Sequence, residues 1–307
     1  MEKKSYLQGY LFVAVAGILW GIGGLFVTKM SDNGASSLMT AFAGHFLAFI
    51  PLLLYLLAKK GLKGLKISKK GLIYSILLGV LTKGIFKLSL DTSMTLVGVA
   101  TTTILMYLAP VWTAIMAVIF FKEKLRGYQY IALLLNMIGC VLMVTGGNFT
   151  ELDISGIGLT LGLIAGLLYA LSTILGKVGT SGDDSVTMAC YMLLFSTITT
   201  AIFAKPWEHL DLFTNRSFMT WAIPGGLLSG TIANILFLTG LSKGIDASKT
   251  TIVTSIEVVV ATLAGVFLLN EQINLVGYIG ILIMLASIVI MNVNIPSRKE
   301  NTDNQSI

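Results

Sequence analysis

Ten apolar stretches, each long enough to cross a lipid bilayer as a helix, dominate the chain. They cover residues 8–28, 37–57, 71–90, 96–121, 127–146, 156–177, 187–204, 219–241, 247–269 and 273–294. A membrane helix needs about 20 mostly apolar residues. Only 12% of the residues are charged, against about 25% in soluble domains. The sequence therefore predicts an all-α, multi-pass protein of the cell membrane with ten transmembrane helices in the lipid bilayer. Lys83, Lys87 and Asp91 interrupt the third and fourth stretches, which makes that boundary the least distinct.

Lysine and arginine are distributed unevenly between the two sides of this arrangement. If the first helix starts in the cytoplasm, the inner segments hold 16 of these residues and the outer loops hold 3, namely Lys29, Lys205 and Arg216. Because basic residues favour the cytoplasmic side, we predict cytoplasmic termini, with residues 296–307 forming a disordered cytoplasmic tail. The net charge of +6 does not indicate a nucleic-acid partner, since the basic residues are scattered between apolar segments.

The sequence repeats itself at an offset of 148 or 149 residues. Residues 102–104 and 250–252 both read Thr-Thr-Ile, and Trp20 corresponds to Tyr169. The repeat divides the chain into two five-helix units, residues 1–147 and 148–295. Because five is an odd number, the second unit enters the membrane from the opposite side. Inverted repeats of this kind are typical of transporters whose substrate site lies between the halves, near the membrane midplane.

Several short motifs resemble those of a known family. They are Leu-Trp-Gly at 19–21, Leu-Met-Tyr-Leu-Ala-Pro-Val at 105–111, Phe-Phe-Lys-Glu-Lys-Leu at 120–125, Ile-Glu-Val at 256–258 and Glu-Gln-Ile at 271–273. On these residues the chain resembles the EamA family of the drug/metabolite transporter superfamily. The resemblance implies a ten-helix carrier of amino acids, nucleosides, sugars, amines or drugs, often directed outward and sometimes coupled to protons. Lys122 and Asn270 stand where the family usually has glycine, and Val258 where it has proline.

Three ionisable side chains lie near the middle of their predicted spans: His45, Lys83 and Glu257. A charge at that depth costs about 2.5–3.5 kcal/mol on insertion scales, so each needs a partner, a hydrated cavity or a function. Glu257 is a candidate for binding a substrate ammonium or carrying a proton, and Lys83 for binding a carboxylate or phosphate. The alternative is a structural ion pair between the two. His45 is a candidate proton-coupling group, with a hydrogen bond to a neighbouring helix as the alternative.

Aromatic and polar side chains at similar depth complete the predicted substrate site. The aromatic residues could stack on a substrate ring or cation, and the polar residues could hydrogen-bond a solute; helix packing is the alternative for both groups. The residues concerned are Trp20, Tyr107, Tyr169, Thr231 and Asn234. Thr231 corresponds to Lys83 in the internal repeat.

Two further expectations concern the helices around this site. Pro110 removes a backbone hydrogen bond within the fourth span and predicts a kink there. Glu123 and Glu271 lie at the ends of the fourth and ninth spans, and we expect them to hold the local turn rather than a substrate. The family resemblance implies a cavity lined by helices 1–4 and 6–9, with helices 5 and 10 at the periphery.

Together these features predict a transporter that moves a small polar or zwitterionic metabolite, such as an amino acid, amine, nucleoside or drug-like solute. An acid and a base at the midplane favour that cargo, and the family implies alternating access and export. A non-transporting receptor or channel is the alternative. The two histidines, His45 and His209, form no His-Glu-x-x-His motif. We therefore expect no enzymatic activity, no cofactor and no metal site. The oligomeric state stays open.

Overall fold

The computed structural model of the protein describes residues 2–150, 152 and 156–292, with residues 2–4 described by their backbone alone. The predicted tail 296–307 lies outside the described residues, so its disorder stays a prediction. The helices that are unbroken are α1 (Glu2–Ser31), α2 (Ser37–Lys60), α5 (Gly127–Thr145), α6 (Gly156–Gly179), α7 (Ser185–Ala204) and α10 (Leu275–Asn292). Three short helical segments, Gly61–Leu65, Pro206–Glu208 and Leu210–Thr214, lie in the connections.

The third and fourth membrane crossings meet at a break in the backbone at Gly98. A helical stretch runs over Lys69–Met106, 38 residues in all. A straight helix of that length would measure about 57 Å, nearly twice the thickness of a bilayer core of about 30 Å. Gly98 has φ 79° and ψ 164°, so residues 69–97 form α3 and residues 99–106 begin α4. Nine helices of the described chain are long and apolar enough to cross a membrane when Lys69–Met106 is counted as one helix. The break at Gly98 divides that stretch between two crossings, which brings the number to ten.

The remaining crossings are interrupted at positions that the internal repeat relates. α4 continues as Ala109–Phe121 after a break at Tyr107, and α9 consists of Ala247–Thr254 and Ile256–Leu268 with a break at Ser255. Tyr107 and Ser255 are 148 residues apart, and Pro110 occupies the first turn after the first of these breaks. The kink predicted from Pro110 is therefore confirmed, and the second half contains the same kink without a proline.

Two π-helical turns are related in the same way. α3 contains Val80–Ile85, and α8 consists of Arg216–Gly225, a π-helical turn at Gly226–Ile232, and Ala233–Ser242. Such turns insert an extra residue into a helix and are frequent at functional sites. Each half of the protein thus carries one widened helix and one broken helix at matching places.

Loop residues explain where several helices begin and end. The hydroxyl of Ser36 accepts a hydrogen bond from the backbone N–H of Met39, 3.2 Å away, and so caps the first turn of α2. Lys122 after α4 and Asn270 after α9 both have φ 56°. That left-handed conformation is easiest for glycine, which gives a physical reason for the glycine usual in the family at both positions.

Helix packing follows a twofold pattern. α2 packs on α7, and α5 packs on α10; in each of these pairs the two helices are repeat equivalents. The α3–α4 stretch packs on α6 in the same way as α8 and α9 pack on α1. Exchanging the two halves therefore leaves the set of packed pairs unchanged. Glycines allow the closest crossings: Gly17 faces the Thr254 carbonyl, and its repeat equivalent Gly166 faces the Leu105 carbonyl. The fold is therefore two inverted five-helix repeats, as predicted.

The two ends of the bundle differ in charge. We call the lysine-rich end the one formed by the connections after α2, α4, α6 and α8, which carry the basic segments 59–70, 122–126 and 243–249. The opposite end is formed by the connections after α1, α3, α5, α7 and α9. Large apolar side chains around the outside of the bundle are exposed, among them Leu54, Ile119, Phe267 and Leu282. In a membrane these side chains contact lipid.

Candidate functional site

A cavity of about 760 Å³ occupies the middle of the bundle and extends to the opposite end. Its mouth is formed by residues such as Val27, Val99 and Gln272, all of which are exposed. Its deepest lining includes Trp20, Leu78, Ser172 and Leu238. The loop segments that define the lysine-rich end contribute no residue to its described lining. The cavity is thus open at one end of the molecule and closed at the other.

Lys83 reaches this cavity from the π-helical turn of α3. Its Nζ atom lies 4.9 Å from the centroid of the Trp20 ring, a distance at which an ammonium is attracted to an indole face. The Trp20 ring in turn packs against Phe237, with the ring centroids 5.1 Å apart. Lys83 belongs to none of the ion pairs of the described residues. Its ammonium is therefore left available to an anionic group inside the cavity.

Glu257 lines the same cavity from α9. The break at Ser255 places this carboxylate in the first turn of Ile256–Leu268, where helix N–H dipoles favour a negative charge. The hydroxyl of Tyr169 donates a hydrogen bond of 2.6 Å to Glu257 Oε2. The Tyr169 ring also contacts Phe86 and Tyr107, at centroid distances of 5.8 and 6.4 Å. Glu257 is thus held by a tyrosine, and no direct ion pair joins it to Lys83 in the described structure.

The other predicted site residues divide into two groups. Trp20, Tyr107, Tyr169, His45 and Asn234 line the cavity together with Lys83 and Glu257. The Nδ1 atom of His45 is buried without a hydrogen-bond partner among the described residues. Thr231 is not part of the described lining: it is buried, and its hydroxyl donates a 2.9 Å hydrogen bond to the Ala48 carbonyl. That contact is the helix-packing alternative that the sequence left open for Thr231.

The lining also includes residues that sequence reasoning missed. Met143 and Val144 bring α5 into the cavity wall, so the expectation that both helix 5 and helix 10 are peripheral was wrong for helix 5. Glu271 also lines the cavity mouth and is exposed. It directly follows Asn270, whose backbone is left-handed with φ 56°. The repeat alignment with Glu123 could have drawn attention to Glu271, but that alignment does not predict that the Glu271 side chain is exposed.

Two charged residues near the mouth form a local pair. Lys87 Nζ lies 2.8 Å from Asp91 Oδ1 one turn along α3, and both contact the hydroxyl of Ser37 at the start of α2. Two of the three charges that interrupt the third and fourth apolar stretches are thus paired with each other. This pair ties α2 to α3, and it leaves Lys83 as the deeper cation.

The closed end is sealed by residues whose repeat equivalents line the open end. The hydroxyl of Thr251 donates to Thr113 at 3.0 Å and lies 3.2 Å from the hydroxyl of Thr173. All three threonines are buried. The residues that the repeat relates to Thr251, Thr113 and Thr173 are Thr103, Ala261 and Gly24, and all three of these line the cavity. The two halves are therefore packed together on one side and separated on the other.

Comparison with known proteins identifies the family. The model of the EamA-like transporter family matches residues 7–145 and 156–293, one match for each half. The chain belongs to the EamA-like transporter family. The two matches correspond to the two inverted repeats and cover almost the whole described chain.

Similar proteins are named as transporters. An uncharacterized transporter of Clostridium kluyveri is 23% identical over 96% of each chain. The uncharacterized inner membrane transporter YicL of Salmonella typhimurium is 25% identical over 94% of this chain and 97% of its own. Human solute carrier family 35 member G1 is 30% identical over 61% of this chain and 52% of its own. A crystal structure aligns with a TM-score of 0.74 at 15% identity, over 93% of this chain and 98% of that one, which shows the fold.

Proposed function

We propose that the protein exports a small zwitterionic metabolite by alternating access. The lysine-rich end would face the cytoplasm, because basic residues favour that side, and both termini would lie there. On this assignment the cavity opens to the cell exterior. The structure then corresponds to the outward-open state of the carrier, in which cargo has free access from outside.

The observation that carries the cargo assignment is the placement of one acid and one base in a single cavity. Lys83 and Glu257 both line it, and neither is neutralised by a direct ion pair within the described residues. A zwitterion such as an amino acid supplies the matching carboxylate and ammonium. The Trp20 ring beside Lys83 and the Tyr169 hydroxyl on Glu257 would limit the size of the solute between them.

Proton coupling is the second role that the site supports. The Tyr169 hydroxyl that bonds Glu257 belongs to a ring packed against Phe86 and Tyr107, and carboxylates within membrane spans commonly serve as proton carriers. The unpartnered Nδ1 of His45 in the same cavity supplies a second protonatable group. Either group could couple export to a proton gradient.

Variants of the two charged residues distinguish these roles. A thermal-shift screen of purified protein against a metabolite library would first find a ligand, since a ligand that binds the folded state raises its melting temperature. Glu257→Gln should then abolish binding if Glu257 holds the substrate ammonium. It should instead preserve solute exchange and remove the dependence on a pH gradient if Glu257 carries the proton.

A double variant tests the structural alternative. If Lys83 and Glu257 only neutralise each other, Glu257→Gln combined with Lys83→Met should restore both stability and transport, because replacing both partners of a buried pair is milder than removing one. Saturable uptake and counterflow in proteoliposomes separate a carrier from a channel or receptor. Wild-type transport with unchanged pH dependence in Glu257→Gln would remove Glu257 from the site.

A further inference from the structure

Glu123 fastens the closed end of the molecule with four hydrogen bonds. Its Oε1 atom accepts from Lys177 Nζ and from the Ala247 backbone N–H, both at 2.8 Å. Its Oε2 atom accepts from the backbone N–H of Ser248 at 3.1 Å and from the Ser248 hydroxyl at 2.7 Å. Ala247 and Ser248 are the first two residues of α9. The carboxylate therefore joins the end of α4 in one half to the beginning of α9 and the end of α6 in the other.

Glu271 is the repeat equivalent of Glu123 and sits in the same local structure. Each glutamate follows a residue with φ 56°, Lys122 or Asn270. Each donates its own N–H to a carbonyl six residues back, Glu123 to Ala117 at 3.2 Å and Glu271 to Gly265 at 3.0 Å. The backbones of the two turns thus match, and the carboxylates differ only in what they contact.

The Glu271 carboxylate accepts no hydrogen bond from the described residues and lies folded over Gly265 of its own turn. The residues equivalent to Ala247 and Ser248 are Val99 and Ala100, which begin a helical segment just after the break at Gly98. The first N–H groups of such a segment lack acceptors within the helix. Val99 and Glu271 both line the mouth of the cavity. The backbone N–H groups of Val99 and Ala100 are therefore donors on one side of the mouth, and the Glu271 carboxylate is an acceptor on the other.

We propose that Glu123 and Glu271 are alternating latches, each of which closes one end of the carrier by capping the helix that begins in the other half. When the cavity closes at the opposite end, Glu271 accepts from the backbone N–H groups of Val99 and Ala100. Glu123 then releases Ala247, Ser248 and Lys177, and the lysine-rich end opens. This inference rests on the proposed alternating access, and it assigns the contacts that each state gains and loses.

The two latches differ in strength. Lys177 adds a charged donor to the Glu123 latch, whereas the equivalent position in α1 is Thr28. The neighbouring Lys29 pairs with Asp32 at 3.1 Å. The latch at the opposite end therefore relies on backbone donors alone, and the state seen in this structure is the one held by the stronger latch.

Distances between spin labels test the exchange of latches. One labelled pair, Thr95→Cys with Leu275→Cys, reports on the opposite end, and a second, Lys124→Cys with Ser242→Cys, reports on the lysine-rich end. All four positions are exposed, and the buried native cysteines, Cys140 and Cys190, are replaced by alanine. Double electron–electron resonance in lipid nanodiscs then gives the populations of open and closed states at each end.

Glu123→Gln should shift both pairs together, toward a longer distance at the lysine-rich end and a shorter one at the opposite end. The amide nitrogen of glutamine faces donors that need an acceptor, so we expect the population ratio to change about tenfold, the factor expected for loss of one hydrogen bond to a charged group. Glu271→Gln should shift both pairs in the reverse direction. Lys177→Met removes one donor and keeps the backbone bonds, so it should shift the ratio as Glu123→Gln does, by less, even if Glu123→Gln folds poorly.

Glu208→Gln is the matched control. Glu208 is an exposed carboxylate at the opposite end, paired with Lys205 at 3.4 Å, and its loss should leave both distance distributions unchanged. The latch proposal is overturned if the wild type populates two states at each end and the variants of Glu123, Glu271 and Lys177 leave their ratio unchanged. A single distance at each end in every variant, with no counterflow in proteoliposomes, would instead refute alternating access itself, and the latches with it.

Discussion

Replacing Gly21 by alanine should separate α1, whose Trp20 ring contacts Lys83, from α9, which carries Glu257. Gly21 is where α1 crosses α9, and a Cβ atom there would lie 2.6 Å from the Glu257 carbonyl oxygen and 2.7 Å from Val260 Cβ. Neither neighbour is the end of a flexible side chain, so the helices must move apart. Overpacking of this kind costs about 1–3 kcal/mol. The same substitution gains about 1 kcal/mol of helix propensity, which a control must remove.

Gly24→Ala is that control, because Gly24 lies one turn further along α1 and a Cβ atom there meets nothing within 4 Å. Both variants gain the same propensity, so their difference isolates the overlap with α9. Thermal unfolding in detergent should place Gly21→Ala below Gly24→Ala by roughly 2–12 °C, at about 2–4 °C for each kcal/mol. Gly21→Ala should also transport more slowly, since it displaces Glu257. Equal melting temperatures for the two variants would refute the close crossing of α1 and α9.

Three other predictions follow from individual contacts. Tyr169→Phe keeps the ring and loses the hydroxyl on Glu257, so kcat/KM for transport in proteoliposomes should fall about tenfold; unchanged kinetics would exclude this contact from the mechanism. Asn136→Ala removes the buried amide that bonds Ser255 and Ser287, and should lower the melting temperature by an amount equivalent to about 1–3 kcal/mol. Burial raises the pKa of Glu123, but hydrogen bonds from Lys177, Ser248 and Ala247 outweigh it and hold the pKa below its ordinary 4.5. The stabilisation from Glu123 is therefore present above pH 4.5 and lost as pH falls through the lowered pKa, so wild-type stability should drop more steeply there than that of Glu123→Gln.

Hydrophobicity was sufficient to predict most of the membrane helices, because each must be long and apolar enough to cross the bilayer. It did not locate the boundary between α3 and α4. That boundary is set by one backbone conformation, at Gly98, inside a stretch that hydropathy cannot divide. The π-helical turn around Lys83 was missed for the same reason: an extra residue in a helical turn leaves no signature in composition.

The candidate site was predictable where burial of charge is costly. Lys83 and Glu257 stood out because a membrane interior penalises charges, and both line the cavity. Thr231 did not reach the cavity, since an uncharged hydroxyl can satisfy itself on a nearby carbonyl and the sequence does not say which. Glu271 lines the cavity because the molecule is open at that end. The two repeats are alike in sequence, so the sequence does not predict which end is open.

The most direct test of the account is whether the sealed side of the carrier opens when the open side closes. Thr251 is buried at the seal and its repeat equivalent Thr103 lines the cavity, so Thr251→Cys and Thr103→Cys report on the two sides. Each is made in a background without Cys140 and Cys190 and treated with a membrane-impermeant maleimide. Thr103→Cys should react from outside the cell, and Thr251→Cys should react only from the cytoplasmic side. Adding Glu123→Gln should make the reaction of Thr251→Cys faster and the reaction of Thr103→Cys slower. A Thr251→Cys that never reacts from the cytoplasmic side, in any variant or during transport, would contradict alternating access.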